Sequence, residues 1–457
     1  MKAEGRNIGD LTEARVEQRG PSGRGEFTYV DISSIDRETK RIIDPKVLPA
    51  AKAPSRAKQV LKTGDVLVSM TRPNLNAVAI VPPDLDGSIG STGFHVLRGK
   101  AAEADFLFYA VQTPDFIDAM CQKVQGALYP AVRPRDISSF CLPPFSLAAQ
   151  RAAVAEIEKQ FTRLEAGVAA LRRVQANLKR YRAAVLKAAC EGQLVPTEAE
   201  LQRSAGKRQK GFESGEQLLK RILAERRQHW TGRGQYKEPA APDTSNLPPL
   251  PAGWTWASLE AVSDAVGGFA FSSTKFVEAG YQVVKMANIR MGKIDLTQRP
   301  SFISDVTPDI VEKYSLREGD LVVTLTGTRK KRDYGYIAVV KSDEGLLLNQ
   351  RIARVRPFPG MDSKFLQLAM QAEHYRDRFF AHETGNVGQG NVGMAAVTKE
   401  VVTLPPLAEQ TRIVAEVERR LGVVEELESV VSANLQRATR LRQSILRVAF
   451  SGGLNIL

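Results

Sequence analysis

Four cations stand in a row in Thr328-Arg329-Lys330-Lys331-Arg332-Asp333-Tyr334, between two stretches of strand composition. Side chains of this kind hold phosphate oxygens without choosing a sequence. An Arg or Lys in a groove can instead take guanine O6 and N7, as Asn and Gln take adenine. The run by itself is compatible with either use. A second stretch, Thr384–Gly393 (TGNVGQGNVG), is rich enough in Gly to let backbone approach a ligand closely, or to serve as a surface loop. The whole chain of 457 residues carries 64 Lys and Arg against 51 Asp and Glu, a net charge of +13. That excess favours a polyanionic partner, although many basic proteins bind no nucleic acid.

Catalytic signatures are missing from the sequence. There is no Gly-x-x-x-x-Gly-Lys-Ser/Thr loop; Ala205-Gly206-Lys207-Arg208 is a fragment of one. Neither an Asn/Asp-Pro-Pro-Tyr/Phe loop nor a Phe-x-Gly-x-Gly loop occurs, which disfavours an adenine methyltransferase. Leu142-Pro143-Pro144-Phe145 lacks the polar residue such a loop needs and reads as the lead-in to a helix. The histidines His95, His229, His374 and His382 have no metal-ligand spacing, and no metal site is expected. Cys121, Cys141 and Cys190 are scattered and odd in number, which suits a reducing compartment. No apolar stretch approaches 18 residues, and Met1–Asp10 is polar, so neither a membrane span nor a secretory signal is expected. The expected location is cytoplasmic.

The elements that must position these residues are organised by an internal repeat. Leu142–Val195 and Leu404–Asn455 share a Leu-Pro-Pro start, a following Gln (Gln150, Gln410), a long run without Pro, and a closing Gly (Gly192, Gly452), the Gln and the Gly at an offset of 260. Large apolar residues recur at Val154, Ile157, Phe161, Leu164, Val168, Leu171, Val174, Leu178, Tyr181 and Val185. The steps of three and four predict a coiled-coil seam with one stammer at Val174. The second run repeats it at Val414, Val417, Leu421, Val424, Leu427, Val431, Leu435, Ala438, Leu441, Ile445 and Val448. Each run is expected to be one helix about 60 Å long. So narrow a seam needs a partner helix, and each run is the matching partner of the other.

The fold class expected is α+β: two repeated mixed α/β domains joined by two long helices in an antiparallel coiled coil. The segments are 1–141 (first domain), 142–195 (first helix), 196–249 (basic linker with a short helix), 250–403 (second domain) and 404–457 (second helix). Strands are expected at Glu26–Ile32, Asp65–Met70, Ala77–Pro82 and Gly93–Arg98. Thr113 and Pro114 should cap and start a helix. Leu61-Lys62-Thr63-Gly64-Asp65 returns as Leu316-Arg317-Glu318-Gly319-Asp320, while the loops between shared strands diverge. In the linker, residues 203–237 hold ten Lys and Arg against three Asp and Glu, a run open to reading as a solvated face, around a short basic helix at Ser214–Trp230 with Leu218, Leu219, Ile222 and Leu223 on one side.

The duplicated plan resembles the specificity subunits of type I restriction–modification systems over essentially the whole chain. The resemblance rests on the two Leu-Pro-Pro starts, the Leu-x-x-Gly-Asp motifs at Leu61 and Leu316, Tyr236-Lys237-Glu238-Pro239, and Leu250-Pro251-Ala252-Gly253-Trp254-Thr255-Trp256. It implies that each repeated domain is a target recognition domain reading one half of a split double-stranded DNA sequence. It further implies that methyltransferase subunits dock on the chain and that motor–nuclease subunits join them. S-adenosylmethionine, ATP and Mg²⁺ would belong to those partners, with no cofactor and no catalysis in this chain. The half-sites are expected about one DNA turn apart. One departure stands out: by the repeat offset Met1 lies beyond the position of Trp254, so the first domain should lack the leading strand.

On this reading the base-reading candidates in the first domain are Arg72, Asn74, Asn76, Tyr129, Arg133 and Arg135. In the second they are Lys285, Asn288, Arg290, Arg329, Lys330, Lys331, Arg332, Tyr334, Gln389 and Asn391. Two alternatives remain: a methylation-only assembly without nuclease, and a coiled-coil adaptor without DNA specificity.

Overall fold

The computed structural model describes residues 5–23, 25–124, 130–204, 213–231, 234–342, 345–385 and 388–451. The two Pro-free runs are helices, Leu147–Cys190 and Leu407–Phe450, each of 44 residues. Their starts and their ends are both displaced by 260 positions. Gly192, at φ +68°, ends the first in the left-handed conformation that favours glycine.

The seam differs from the expected one. Val174, Tyr181, Leu427 and Leu441 are between 42 % and 48 % exposed. Val417, Val424, Val431 and Ala438 are buried at strict seven-residue spacing. Heptad spacing therefore runs on without a stammer, and polar residues occupy seam positions that a scan for apolar residues passes over. Arg442 pairs with Glu165 (3.3 Å) and stacks over Phe161 (3.9 Å). Arg182 pairs with Glu425 and Glu428 (3.5 Å each). The pairs Arg442–Glu165 and Arg182–Glu425 map onto each other by the same 260-residue shift. Antiparallel pairing of the two helices accounts for both.

Two compact units result, Met1–Gln175 with Ser429–Leu457, and Ala176–Glu428. Their boundaries fall inside the long helices rather than at 142 and 404, because helix ends complete the domain cores. Ile157, Phe161, Leu446, Ala449 and Phe450 are buried with the first domain's Phe106, Leu107 and Phe116. Val185, Ala189, Ile413, Val414 and Val417 are buried with the second domain's Phe365, Leu366 and Trp254.

Each domain carries one sheet built around a parallel pair. In the first domain Glu26–Val30 runs parallel to Ile89–Ser91, flanked by Lys46–Pro49 and Ala57–Val60. In the second domain Tyr281–Val284 runs parallel to Leu346–Leu348, flanked by Phe302–Ile303 and Ser315–Leu316. An antiparallel sheet accompanies each: Phe94–Leu97, Val66–Ser69 and Val78–Ile80 in the first, and Ile352–Pro357, Leu321–Thr324 and Ile337–Val339 in the second. The second domain adds Ser263–Gly267 at the edge. The helix expected at Pro114 is present as Pro114–Gln122, with the Thr113 hydroxyl accepting from Phe116 N–H (3.3 Å).

The repeated motifs have structural causes. Gly64 and Gly319 both stand at φ +84°. The turn each makes brings Asp65 and Asp320, each about 1 % exposed, onto Arg98 and Arg356 in two-pronged ion pairs of 2.7–2.8 Å. Gln150 and Gln410 lock the helix starts. Gln150 accepts from Glu103 N–H and donates to Phe145 O; Gln410 accepts from Asp362 N–H and donates to Pro405 O.

Two expectations need correction. The first domain keeps a leading strand, Arg6–Asn7, paired with Cys141–Leu142, where the second has the longer Thr255–Ser258 paired with Val401–Leu404. The motif residue Trp254 is needed only in the second domain, where its Nε1 donates to the buried carboxylate of Glu409 (2.8 Å). Position 149, the first-domain counterpart of Glu409, is an alanine. The linker helix, Gly215–Gln228, is not a solvated spacer. Leu218 and Ile222 are buried in the second domain's core. Its cations Lys220, Arg221 and Arg227 pair with Glu216, Glu213, Glu225 and Glu238. The helix earned its basic look from local composition, but charge pairing cancels much of it.

Candidate nucleic-acid interface

A backbone frame present in both domains gathers the candidate residues. In the second domain Leu325 N–H donates to Arg351 O (3.0 Å), and Leu325 O accepts from Val392 N–H (2.9 Å). In the first, Met70 N–H donates to Gly93 O (3.0 Å), and Met70 O accepts from Val132 N–H (2.9 Å). Three chain segments distant in sequence thus meet in the same way twice. Just beyond, Thr326–Thr328 pairs antiparallel with Gln389–Asn391, with Thr326 opposite Asn391 and Thr328 opposite Gln389. The first-domain counterpart is a single bridge, Thr71 to Ala131, continued by Arg72 N–H donating to Pro130 O (2.8 Å).

On the first-domain frame lie the exposed Arg72 and Asn74, with exposed Arg133 and Arg135 following Val132 directly. Arg133 begins the helix Pro134–Ser138 and its N–H donates to Asp136. Tyr129 lies outside the described residues. Asn76 is spent on folding: its amide donates to Val111 O and accepts from Lys40 Nζ. Lys40 is drawn into this contact from a left-handed turn at φ +57°. Its burial, together with the charge of Arg442, pushes its pKa down to about 8.

In the second domain Gln389 and Asn391 are exposed on the ribbon, and Arg329 adjoins it through N–H to Gly388 O (3.3 Å). Lys330 and Lys331 are exposed in the turn that follows. Several other candidates are corrected by burial or by their partners. Tyr334 is fully buried, and its hydroxyl donates to Glu383. Asn288 is 2 % exposed and holds its own turn, accepting from Lys285 N–H and donating to Asp295 O and Gln298 O. Neither side chain is offered at the surface. Arg290 donates to Ala287 O, Ile289 O and Gln298. Lys285 donates to Ser301 and stands 5.5 Å over Phe276. Arg332, at φ +46°, stacks over Phe380 (4.9 Å), a ring that Arg376 also approaches (5.2 Å).

Two residues were missed. Glu383 organises the loop by accepting from Tyr334 OH and from Arg329 Nε (2.9 Å). The tyrosine hydrogen bond first, then the arginine, hold its carboxyl below the usual range. Burial, then the Glu383 carboxylate, push the Tyr334 hydroxyl up. Arg351 is the other. It is exposed and lines a pocket of about 400 Å³ with Thr326, Gly385, Gln389 and Asn391. The signal for it lay in setting the two copies side by side, where Arg351 stands against Gly93.

The Gly-rich stretch also has a packing role. A Cβ at Gly390 would collide with Glu383 and the Tyr334 hydroxyl, and one at Gly327 with Asp333 and the Tyr334 ring. Among the described residues no group of three or more His, Cys, Asp or Glu could hold a metal ion, and no helix is long and apolar enough to cross a membrane. His95 is held against Ser138 (3.0 Å), and burial pushes its pKa down to about 4.

The fold and frame define a class: two related α/β domains, each completed by the ends of a paired set of long helices. No protein-family model matches the chain. It is 25 % identical over 306 residues to the specificity subunit of the type I restriction enzyme EcoAI from Escherichia coli, covering 65 % of this chain and 49 % of that protein. It is 22 % identical over 354 residues to the EcoBI specificity subunit from the same species, covering 76 % and 65 %. The chain thus spans about half to two thirds of these relatives. Among solved structures, a chain from a type I R-M system studied for its complex assembly and conformational transition aligns over 98 % of both chains, with TM-score 0.69 and 25 % identity. The HsdS subunit from Thermoanaerobacter tengcongensis aligns over 98 % of this chain and 96 % of its own, with TM-score 0.52 and 26 % identity. The chain is homologous to the specificity subunits of type I restriction–modification systems.

Proposed function

We propose that this chain is the DNA sequence-recognition subunit of a type I restriction–modification complex. Each domain reads one half of a bipartite double-stranded target, and the paired helices keep the halves at a fixed, unspecified spacing. Methyltransferase subunits dock on the chain, and motor–nuclease subunits join that core. S-adenosylmethionine, ATP and Mg²⁺ act on those partners, and this chain selects the site without catalysing the reaction. The observation that supports the reading best is the repeated frame: identical backbone hydrogen bonds at Met70 and Leu325 carry Gly93 and Ala131 in one domain, Arg351 and Asn391 in the other. One scaffold bearing two sets of side chains suits recognition of two different half-sequences. Methylome sequencing of cells holding the cognate methyltransferase subunit, with and without this chain, tests it. A split motif with a constant spacer should appear only when the chain is present. Exchange of residues 250–403 for those of another such chain should change one half of that motif. An active methyltransferase with no chain-dependent motif would leave the adaptor reading in its place.

A further inference from the structure

The cations named by the sequence in the second domain are mostly committed. Arg329 is paired with Glu383, Arg332 rests on Phe380, Arg290 holds its own loop, and Lys285 holds Ser301. Arg351 differs. Among the described residues its guanidinium has no acidic or aromatic partner, and the residue is exposed at a pocket that Gln389 and Asn391 also line. Its backbone is held firmly: the carbonyl accepts from Leu325 N–H, and the strand Ile352–Pro357 begins at the next residue. A fork of donors on a fixed backbone, beside two amides, matches the acceptor pair on the major-groove edge of guanine. An ammonium would satisfy phosphate as a point charge; the planar fork suits the O6 and N7 pair.

The first domain supplies an internal control. The residue whose carbonyl accepts in the equivalent bond is Gly93, and the residue opposite Thr71 is Ala131, so neither of these two positions carries a fork or an amide. An arginine does occur there one position further on, at Arg72, where the second domain has Gly327. We propose that Arg351 reads a guanine in the half-site taken by the second domain, with Gln389 and Asn391 bounding the same base step. This deepens the recognition role proposed above and rests on it.

The test is the methylome of cells expressing the cognate methyltransferase subunit with the wild-type chain, Arg351→Ala or Arg351→Lys. The expected result is that Arg351→Ala relaxes one guanine position in one half of the motif, by about tenfold or more in discrimination. The other half and the spacer stay unchanged. Arg351→Lys, which keeps the charge and loses the fork, should relax the same position, and it carries the test if the alanine variant fails to fold. An unchanged motif in the folded Arg351 variants overturns the proposal. A uniform loss of methylation at all sites with no relaxed position does so too, because it marks a phosphate contact. Absence of a split motif with the wild-type chain would instead defeat the recognition role itself, and this proposal with it.

Discussion

The frame around Met70 and the frame around Leu325 share their hydrogen bonds and differ in nearly everything mounted on them. In the first domain the three segments meet with a single bridge, and small residues stand at Gly93 and Ala131. In the second the same meeting extends into a three-residue ribbon, braced from behind by Tyr334 and Glu383. The bracing explains the glycines: Gly327 and Gly390, paired in the ribbon, leave the space that Tyr334 fills. Duplication therefore preserved what folding needs, the backbone contacts and the Asp–Arg locks. The side chains that face outward were left free to diverge. The difference teaches where outward-facing side chains can change at low cost to stability.

The largest expected effect tests the shared part. Asp65→Ala and Asp320→Ala each remove a buried carboxylate from a two-pronged arginine pair. Loss of one partner of a buried pair costs about 3 kcal/mol or more. Urea unfolding followed by hydrogen exchange in Val66–Ser69 and Leu321–Thr324 should show comparable losses, each confined to its own domain. A loss in one domain alone would break the equivalence of the two.

A smaller and asymmetric effect tests the part that diverged. Gly390→Ala should destabilise the second domain by about 1–3 kcal/mol through overpacking against Tyr334 and Glu383. Pro130 stands at the corresponding place in the first domain, where the described residues build no such brace, and Pro130→Ala should change stability by under about 0.5 kcal/mol. Thermal unfolding of the two variants decides. Equal effects would mean that the brace is not what separates the ribbons.

The smallest effect is a pH dependence confined to the first unit. Lys40 titrates near 8 when folded and near its ordinary 10.5 when unfolded. Between those values the unfolded chain holds the extra proton, so stability of that unit should rise with pH from about 8 towards 10. Below 8 the lysine is charged in both states and contributes no slope. In the second domain the residue before the returning strand of the corresponding turn is Gly292, and no such slope arises there. Urea midpoints at pH 7.5 and 9.5 for the wild type and Lys40→Met check the sign, since the variant should lose the rise.

The sequence by itself determined the long helices, the duplication and four strands of the first domain. The reason is that these are local or periodic properties. Proline before and glycine after bound each helix, and the offset of 260 between the copies recurs in the helix ends. The Leu-x-x-Gly-Asp motif was legible as a repeat, whereas its left-handed turn and buried carboxylate came from the structure. Tertiary structure alone decided which polar residues are free. Arg182 and Arg442 sit on the seam because their partners, Glu425 and Glu165, arrive from the opposite helix. Tyr334 and Asn288 carry polar groups that a sequence scan counts as available, yet their bonds are satisfied inside the domain. Arg351 and Asn391, 40 positions apart, reach one pocket only because Leu325 binds both neighbouring segments. Helix period is written within a few residues. The commitment of a side chain depends on neighbours that only the folded chain brings to it.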